Sequence, residues 1–124
     1  MSYDKNNIFA KIIRGDLPAQ KIYEDENILA FNDISKASPV HVLVVPKGEF
    51  IDFNDFVTNA DEKIINDFFK KISLLSKQLN IVDEGFRLIT NNGSNAHQTV
   101  KHFHVHLLAG KKLGPLISSD NLNR

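Results

Sequence analysis

Histidine is the residue type that could give this chain its chemistry, because the sequence holds five histidines and no cysteine. Three of them alternate with apolar residues near the C-terminus, at positions His102, His104 and His106. Side chains of a β-strand point alternately to opposite faces. We therefore expect three imidazoles on one face, with Phe103, Val105 and Leu107 entering the core from the other.

Such a row of imidazoles is compatible with three interpretations. Alternate histidines can share one metal ion, although no acidic residue lies in the same segment to complete or orient the site. An unprotonated imidazole is also a good nucleophile toward phosphorus near neutral pH, and its neighbours could orient the ring and donate to a phosphoryl oxygen. The third interpretation is a structural or pH-sensitive cluster without catalysis.

Composition narrows the class of protein. The chain has 124 residues, a mass of 14.0 kDa, 42% hydrophobic and 24% charged residues, which predicts one globular domain over residues 1–124. The absence of cysteine excludes a disulfide scaffold, a thiolate zinc site, an iron–sulfur cluster and a cysteine nucleophile. With 15 basic and 15 acidic residues the net charge is zero, which argues against a general nucleic-acid or membrane-surface binder.

No apolar run approaches the length of a membrane span, about 18 residues, and the polar segment Met1–Asn7 lacks the apolar part of a signal peptide. We therefore expect a soluble cytoplasmic protein.

The elements that must position the histidines follow from apolar periodicity. A short helix is predicted from Ile8, capped by Asn6 or Asn7 and ended by Gly15. A long helix is predicted from a capping box at Thr58 and Asp61, with an apolar stripe that runs to Leu79. Residues 47–56 are expected to be irregular. The predicted strands are Lys21–Glu24, Ile28–Phe31, His41–Val45, Phe86–Thr90 and Thr99–Ala109. This order predicts an α+β fold with a mostly antiparallel sheet.

The segment His102–Leu108, which reads HFHVHLL, resembles the signature of the histidine triad (HIT) family of nucleotide hydrolases and transferases. Further blocks are similar to the Hint branch of that family, in particular its bacterial members, and they occur in the same order along nearly the whole chain. These blocks are Ile8–Arg14, Phe31–Ser35, Pro39–His41, Val45–Lys47 and Leu113–Pro115.

The resemblance implies a HIT-like α+β fold with two helices per protomer and a homodimer in which two sheets join. It implies hydrolysis of purine nucleoside 5′-phosphoramidates, such as adenosine phosphoramidate or AMP joined to lysine, through a covalent nucleotidyl-histidine. The substrate would contain AMP or GMP, and no metal or other cofactor would be needed.

The resemblance also assigns roles to individual residues. His104 matches the nucleophile, and His106 the residue that contacts the α-phosphate and assists proton transfer. His102 matches the histidine that positions its neighbours, and His41 a fourth histidine from another strand. Asp33 matches the carboxylate that holds the ribose hydroxyls. Polar contacts around the phosphate would come from Asn91, Gln98 and Thr99, and apolar walls around the purine from Ile8, Phe9, Ile12, Phe31 and Ile34.

Several alternatives stay open on the sequence. The run Gln98–His102 is also similar to the dinucleoside polyphosphate hydrolases of the same family, so a polyphosphate leaving group is an alternative to an amine. His97 stands where a small residue is common; it either faces the leaving group or is a solvated loop residue, and we favour the second. Without the resemblance, Asp33 would be interpreted as a turn residue. A non-catalytic module that binds nucleotides or proteins is the rival from another class.

Overall fold

A five-stranded antiparallel sheet is the centre of the protein, which we describe from a computed structural model over residues 2–121. The strand order is β1-β2-β3-β5-β4, where the strands are β1 (Lys21–Glu24), β2 (Ile28–Asn32), β3 (Val40–Pro46), β4 (Arg87–Ile89) and β5 (Val105–Ala109). The helices are α1 (Ile8–Ile13), α2 (Phe53–Asn59) and α3 (Glu62–Gln78), with a short 3₁₀ helix at Ser94–Ala96. The predicted α+β class is confirmed, but there are three α-helices and not the two that the resemblance implied, because α2 forms in the segment that was expected to be irregular. The prediction of a single domain over 1–124 stays a prediction, and Met1 and residues 122–124 lie outside the described residues.

The two faces of the sheet have different roles. One face carries the larger core, in which Val42 and Val44 of β3 and Val105 and Leu107 of β5 pack with α2 and α3 residues such as Phe68. The opposite face carries a smaller cluster of β2, β3 and α1 residues, namely Phe9, Ile12, Leu29, Phe31, Leu43 and Val45. Because strand side chains alternate between faces, the histidines of β3 and β5 lie on the α1 side.

The N-terminal helix confirms the predicted position and cap. Asn7 is the N-cap, and its side-chain oxygen accepts a hydrogen bond from the N–H of Ala10 at 2.9 Å. The helix ends at Ile13, and Gly15 follows with φ +87°, the left-handed conformation that glycine commonly supplies after a helix.

The prediction was wrong between residues 47 and 61. Instead of an irregular segment, a helix begins at Phe53, with Asp52 as its N-cap. Asp52 accepts from the N–H of Asp55, and Asp55 accepts from the N–H of Ile51, the residue before the cap. The Asp52–Asp55 spacing is that of a capping box and could have indicated this helix start. Thr58 therefore lies inside α2, and Asp61, not Thr58, caps the long helix.

The last strand is also shorter than predicted. It begins at Val105, so that of the three clustered histidines only His106 belongs to it. His102 and His104 lie in the preceding segment, where the N–H of Phe103 donates to the carbonyl oxygen of Phe50 at 2.7 Å, outside the sheet. The alternation nevertheless holds, because Phe103 still enters the larger core.

Strand register decides which histidines meet. In the antiparallel pair of β3 and β5, Leu43 is opposite His106 and His41 is opposite Leu108. His41 and His106 are therefore diagonal neighbours on the α1 face, a distance that side chains bridge readily. None of the helices in residues 2–121 has the length and apolarity that a membrane span requires.

Candidate active site

Two adjoining cavities lie on the α1 face of the sheet. The first, which we call the apolar cavity, has a volume of about 280 Å³ and is lined by Ile8, Phe9, Ile12, Leu17, Pro18, Ala19, Phe31, Asn32, Asp33, Ile34 and Leu43. The second, the histidine cavity, has a volume of about 410 Å³ and is lined by Ile8, Phe9, Asp33, Ile34, Leu43, Asn91, His97, Thr99, Val100, His104 and His106. The shared residues show that the cavities are contiguous, and Asp33 is the one ionisable side chain among those shared.

His104 presents a free lone pair to the histidine cavity. Its Nδ1 lies 2.7 Å from the carbonyl oxygen of His102, which can only accept a hydrogen bond, so Nδ1 carries the proton and Nε2 does not. The rings of Phe9 and His104 pack edge to face with their centroids 4.8 Å apart. The contacts fix both the tautomer and the orientation of a nucleophilic nitrogen.

A hydrogen bond from His41 determines the tautomer of His106. The N–H of Ala37 donates to Nδ1 of His41 at 3.0 Å, so His41 in its neutral form is protonated at Nε2. That Nε2 lies 2.8 Å from Nδ1 of His106 and donates to it. The proton of neutral His106 is consequently on Nε2, where it can be donated to a ligand in the histidine cavity.

Burial holds the four histidines neutral at pH 7. It lowers the pKa of His102 to about 4. Burial, together with the repulsion that protonated His104 and His41 would exert, also lowers the pKa of His106 to about 4. Burial also lowers the pKa of His104 and of His41, with Asp33 acting in the opposite direction on both. Desolvation disfavours the imidazolium form, and a neutral imidazole is the form that can act as a nucleophile.

The ring of His102 lies in the protein interior and lines neither cavity. Its Nε2 donates to the carbonyl oxygen of Pro46 at 2.7 Å, and its Nδ1 accepts from the hydroxyl of Tyr3 at 2.5 Å. The residue therefore positions His104 through its backbone carbonyl, while its ring anchors that segment to β3 and to the N-terminal segment. Tyr3 is a site residue that the sequence reasoning missed, because nothing in a polar N-terminal segment pointed to a partner 99 residues away.

Asp33 is a turn residue whose side chain also lines both cavities. One carboxylate oxygen accepts from the N–H of Ser35 at 2.8 Å, as a turn residue does. The other lies 3.4 Å from Nε2 of His41, and the side chain is 20% exposed where the two cavities meet. The carboxylate is thus held in place and still open to a ligand.

The structure brings most of the other predicted binding residues to the two cavities. Asn91 and Thr99 line the histidine cavity, and the predicted apolar wall residues all line the apolar cavity, although Ile34 is 99% exposed and covers one side only. Gln98 is the exception among the residues described. It is buried and holds the loop together by accepting from the N–H of Gly93 and donating to the carbonyls of Ile51 and Val100.

Further wall residues were missed by the sequence reasoning. Leu43 lines both cavities, and the alternation of β3 around His41 was a signal that could have placed it on that face. Leu17, Pro18 and Ala19, which follow the first helix, also line the apolar cavity.

A cation could also be held at the site. One ligand atom each of Asp33, His41 and His106 lies within 4.8 Å of the others. The expectation that no acidic residue would complete the histidine row holds for the segment itself, but the fold supplies Asp33 from the loop after β2. Metal binding at these atoms would displace the proton that His41 shares with His106.

Comparison with known protein families gives a match to the HIT domain over residues 14–113. The chain belongs to the HIT family. An uncharacterised HIT-like protein of Rickettsia prowazekii is 48% identical over 96% of this chain and 99% of its own length. The purine nucleoside phosphoramidase of Escherichia coli is 35% identical over 95% of this chain and 98% of its own.

Solved HIT structures have the same fold. A histidine triad protein from Clostridium difficile superposes with a TM-score of 0.83, at 39% identity, over 92% of this chain and 98% of its own. A HIT family hydrolase from Clostridium thermocellum superposes with a TM-score of 0.80, at 42% identity, over the same shares of the two chains. The predicted family and fold are confirmed by these likenesses.

The hydrogen bond from Tyr3 to His102 leads to a test of stability. Replacement Tyr3→Phe leaves the buried Nδ1 of His102 without a donor, and an unsatisfied buried acceptor costs about 1–3 kcal/mol. We expect this loss in the free energy of unfolding, measured by urea denaturation. The control is Tyr23→Phe, which removes a hydroxyl bonded to Asp25; that carboxylate is 30% exposed, so water can replace the donor and the loss is smaller. Equal losses in the two variants would contradict the role given to Tyr3.

Proposed function

We propose that this HIT protein is a hydrolase that cleaves purine nucleoside 5′-phosphoramidates through a covalent nucleotidyl-histidine. The observation that carries the proposal is the unprotonated Nε2 of His104 on the wall of a cavity that adjoins an apolar one. The Escherichia coli relative named purine nucleoside phosphoramidase supports the choice of substrate class. The neutral state of His104 at pH 7 supports its role as nucleophile.

The first chemical step forms the nucleotidyl-histidine. Nε2 of His104 attacks the α-phosphorus, a bond between phosphorus and this nitrogen forms, and the bond between phosphorus and the amine nitrogen breaks. The leaving amine takes the Nε2 proton of His106. His41 donates to Nδ1 of His106 at 2.8 Å and so stabilises the tautomer that can make this transfer.

The second step returns the enzyme to its starting state. A water molecule attacks the same phosphorus, and the bond between phosphorus and His104 breaks. His106, which lost its Nε2 proton in the first step, accepts a proton from the water. The nucleoside monophosphate is released, and the two imidazoles regain their original tautomers. One site thus serves amine departure and water attack in turn.

The order of the cavities suggests how a nucleotide would lie. The purine would occupy the apolar cavity between Phe9, Ile12 and Phe31, the ribose would meet Asp33 where the cavities join, and the phosphate would reach His104 and His106. Such cavities fix the orientation of a ligand with a few polar groups on apolar walls.

The dinucleoside polyphosphate alternative is less well supported. A polyphosphate leaving group carries several negative charges and is normally met by Arg or Lys. Among the described residues that line the histidine cavity none is Lys or Arg, and one is Asp. An amine leaving group needs no such cation. The rival of a non-catalytic binding module does not account for the tautomers of His104 and His106.

We also propose a cytoplasmic homodimer. Strand β4 is at the edge of the sheet, and its Leu88 is exposed. An unpaired strand edge is a template for pairing with another chain, and two β4 strands could join two sheets into one.

The role of His104 is tested by replacement with Ala. Turnover of adenosine 5′-phosphoramidate should fall by more than about a hundredfold, because a positioned catalytic group contributes at least this factor. Calorimetric binding of AMP and the unfolding midpoint, which report the binding site and the fold, should change little. A variant that keeps half of the wild-type rate would end the nucleophile assignment.

The ribose contact of Asp33 is tested by a double comparison. Asp33→Ala and a substrate without the 2′-hydroxyl should each lower kcat/KM by about tenfold to a hundredfold, the effect of one hydrogen bond to a charged group. If the two groups interact directly, removing both should cost little more than removing one. Additive losses would show that Asp33 acts through its bond to Ser35 instead.

The metal alternative is tested with a chelator. Dialysis of the purified protein against EDTA should leave turnover unchanged, because the proposed chemistry uses the protonated Nε2 of His41 as a donor to His106 and needs no ion there. Elemental analysis before and after dialysis measures any bound metal. A stoichiometric transition metal whose removal abolishes turnover would favour a metal-dependent hydrolase.

A further inference from the structure

His97 has a backbone conformation that residues other than glycine rarely adopt. It ends the 3₁₀ helix at Ser94–Ala96 with φ 62° and ψ 40°, in the left-handed region. Most residues with a Cβ avoid this region, at a cost of roughly 1 kcal/mol or more, and glycine is the usual choice there. Among the non-glycine residues that the structure describes, only Asn80 shares this feature, and it follows α3 at a position where Asn is common. His97 likewise follows a helix, and histidine is, with Asn and Asp, among the side chains found most often in this region, so the conformation alone assigns it no ligand.

The imidazole of His97 is available to a ligand. Each of the other four histidines has a hydrogen bond to its ring, whereas within residues 2–121 the ring of His97 has none. The side chain is exposed at the surface, and the residue lines the histidine cavity together with His104 and His106. A histidine whose ring has no hydrogen bond within the described residues, and which lines the same cavity as His104 and His106, is a candidate ligand-binding residue.

His97 lies on the part of the cavity wall that the leaving group of the substrate would face. His97, Asn91 and Thr99 line the histidine cavity but not the apolar cavity. If the nucleoside fills the apolar cavity and phosphorus lies near His104, the remaining part of the histidine cavity must hold what departs from phosphorus. His97 is on this remaining part of the wall.

From this position we propose that His97 binds a carboxylate on the leaving amine and so favours leaving groups that carry one over leaving groups that do not. The inference rests on the proposed function and specifies its substrate class. An imidazole carries an N–H donor in either protonation state, and a carboxylate is a strong acceptor. A single imidazole suits one carboxylate better than a polyphosphate, because the described lining residues include no Lys or Arg.

The test compares two leaving groups in wild type and variants. The substrates are the adenosine 5′-phosphoramidates of glycine and of glycinamide, which differ only in the carboxylate, and the quantity is the ratio of their kcat/KM values. Comparing this ratio between proteins cancels the different intrinsic reactivity of the two amines. His97→Gly removes the donor and adopts the left-handed conformation without strain, whereas His97→Asn tolerates this conformation and retains an N–H donor.

We expect His97→Gly to lower the glycine-to-glycinamide ratio by about threefold to tenfold, the effect of a partly exposed hydrogen bond to a charged group. The kcat/KM of the glycinamide substrate should fall less than that of the glycine substrate, because a neutral amide oxygen is the weaker acceptor, and His97→Asn should give an intermediate ratio. The matched control is Asn80→Gly, which makes the same backbone change at the end of α3, outside both cavities, and should leave the ratio at its wild-type value.

Two results would overturn the inference while leaving the proposed function intact. One is an unchanged ratio in His97→Gly, and the other is an equal loss on both substrates, which would mean that His97 only shapes the loop. If wild type hydrolyses neither phosphoramidate, the proposed function itself fails and the inference fails with it. Diadenosine triphosphate, measured in parallel, would then show whether the polyphosphate alternative is correct.

Discussion

The hydrogen bond from Nδ1 of His104 to the carbonyl of His102 is the interaction on which the site depends. It forces the lone pair of His104 onto Nε2 and aims the ring at the histidine cavity. The carbonyl is held in place because the ring of His102 is bonded to Pro46 and Tyr3 in the protein interior. A local bond between residues two apart thus acquires its rigidity from contacts with distant parts of the chain.

Burial is the second physical constraint, since it keeps the clustered imidazoles neutral. Several imidazolium ions side by side would repel one another, and the interior could not solvate them. The neutral rings instead form hydrogen bonds of fixed direction. The N–H of Ala37 determines the tautomer of His41, and His41 determines the tautomer of His106. The low pKa values and the fixed tautomers are therefore two consequences of the same packing. They support an imidazole that is ready to attack without first losing a proton.

The two faces of the sheet separate stability from chemistry. The face under α2 and α3 is closed by aromatic packing, in which Phe56 stacks on Phe103 with ring centroids 4.7 Å apart. The α1 face is only partly covered, because a helix of six residues cannot span five strands. The uncovered part becomes the two cavities. Phe103 links the faces, since its burial in the core fixes the segment that carries His102 and His104.

The sequence by itself determined the elements and faces that depend on local pattern. Alternation assigned the histidines and Phe103 to opposite sides, and the spacing after Asn7 located α1. Local pattern could not locate the start of α3, because two capping signals nine residues apart, Asp52 and Asp61, competed with Thr58.

Only the tertiary structure decided what lies beside each histidine. Tyr3 reaches His102 across 99 residues and His41 reaches His106 across 65, and no periodicity encodes such pairs. The same holds for Gln98, whose type suited a phosphate contact but whose side chain the fold uses to tie a loop together. The physical reason is that side-chain direction and burial are set by strand register and by loop closure, which depend on contacts between residues far apart in the chain.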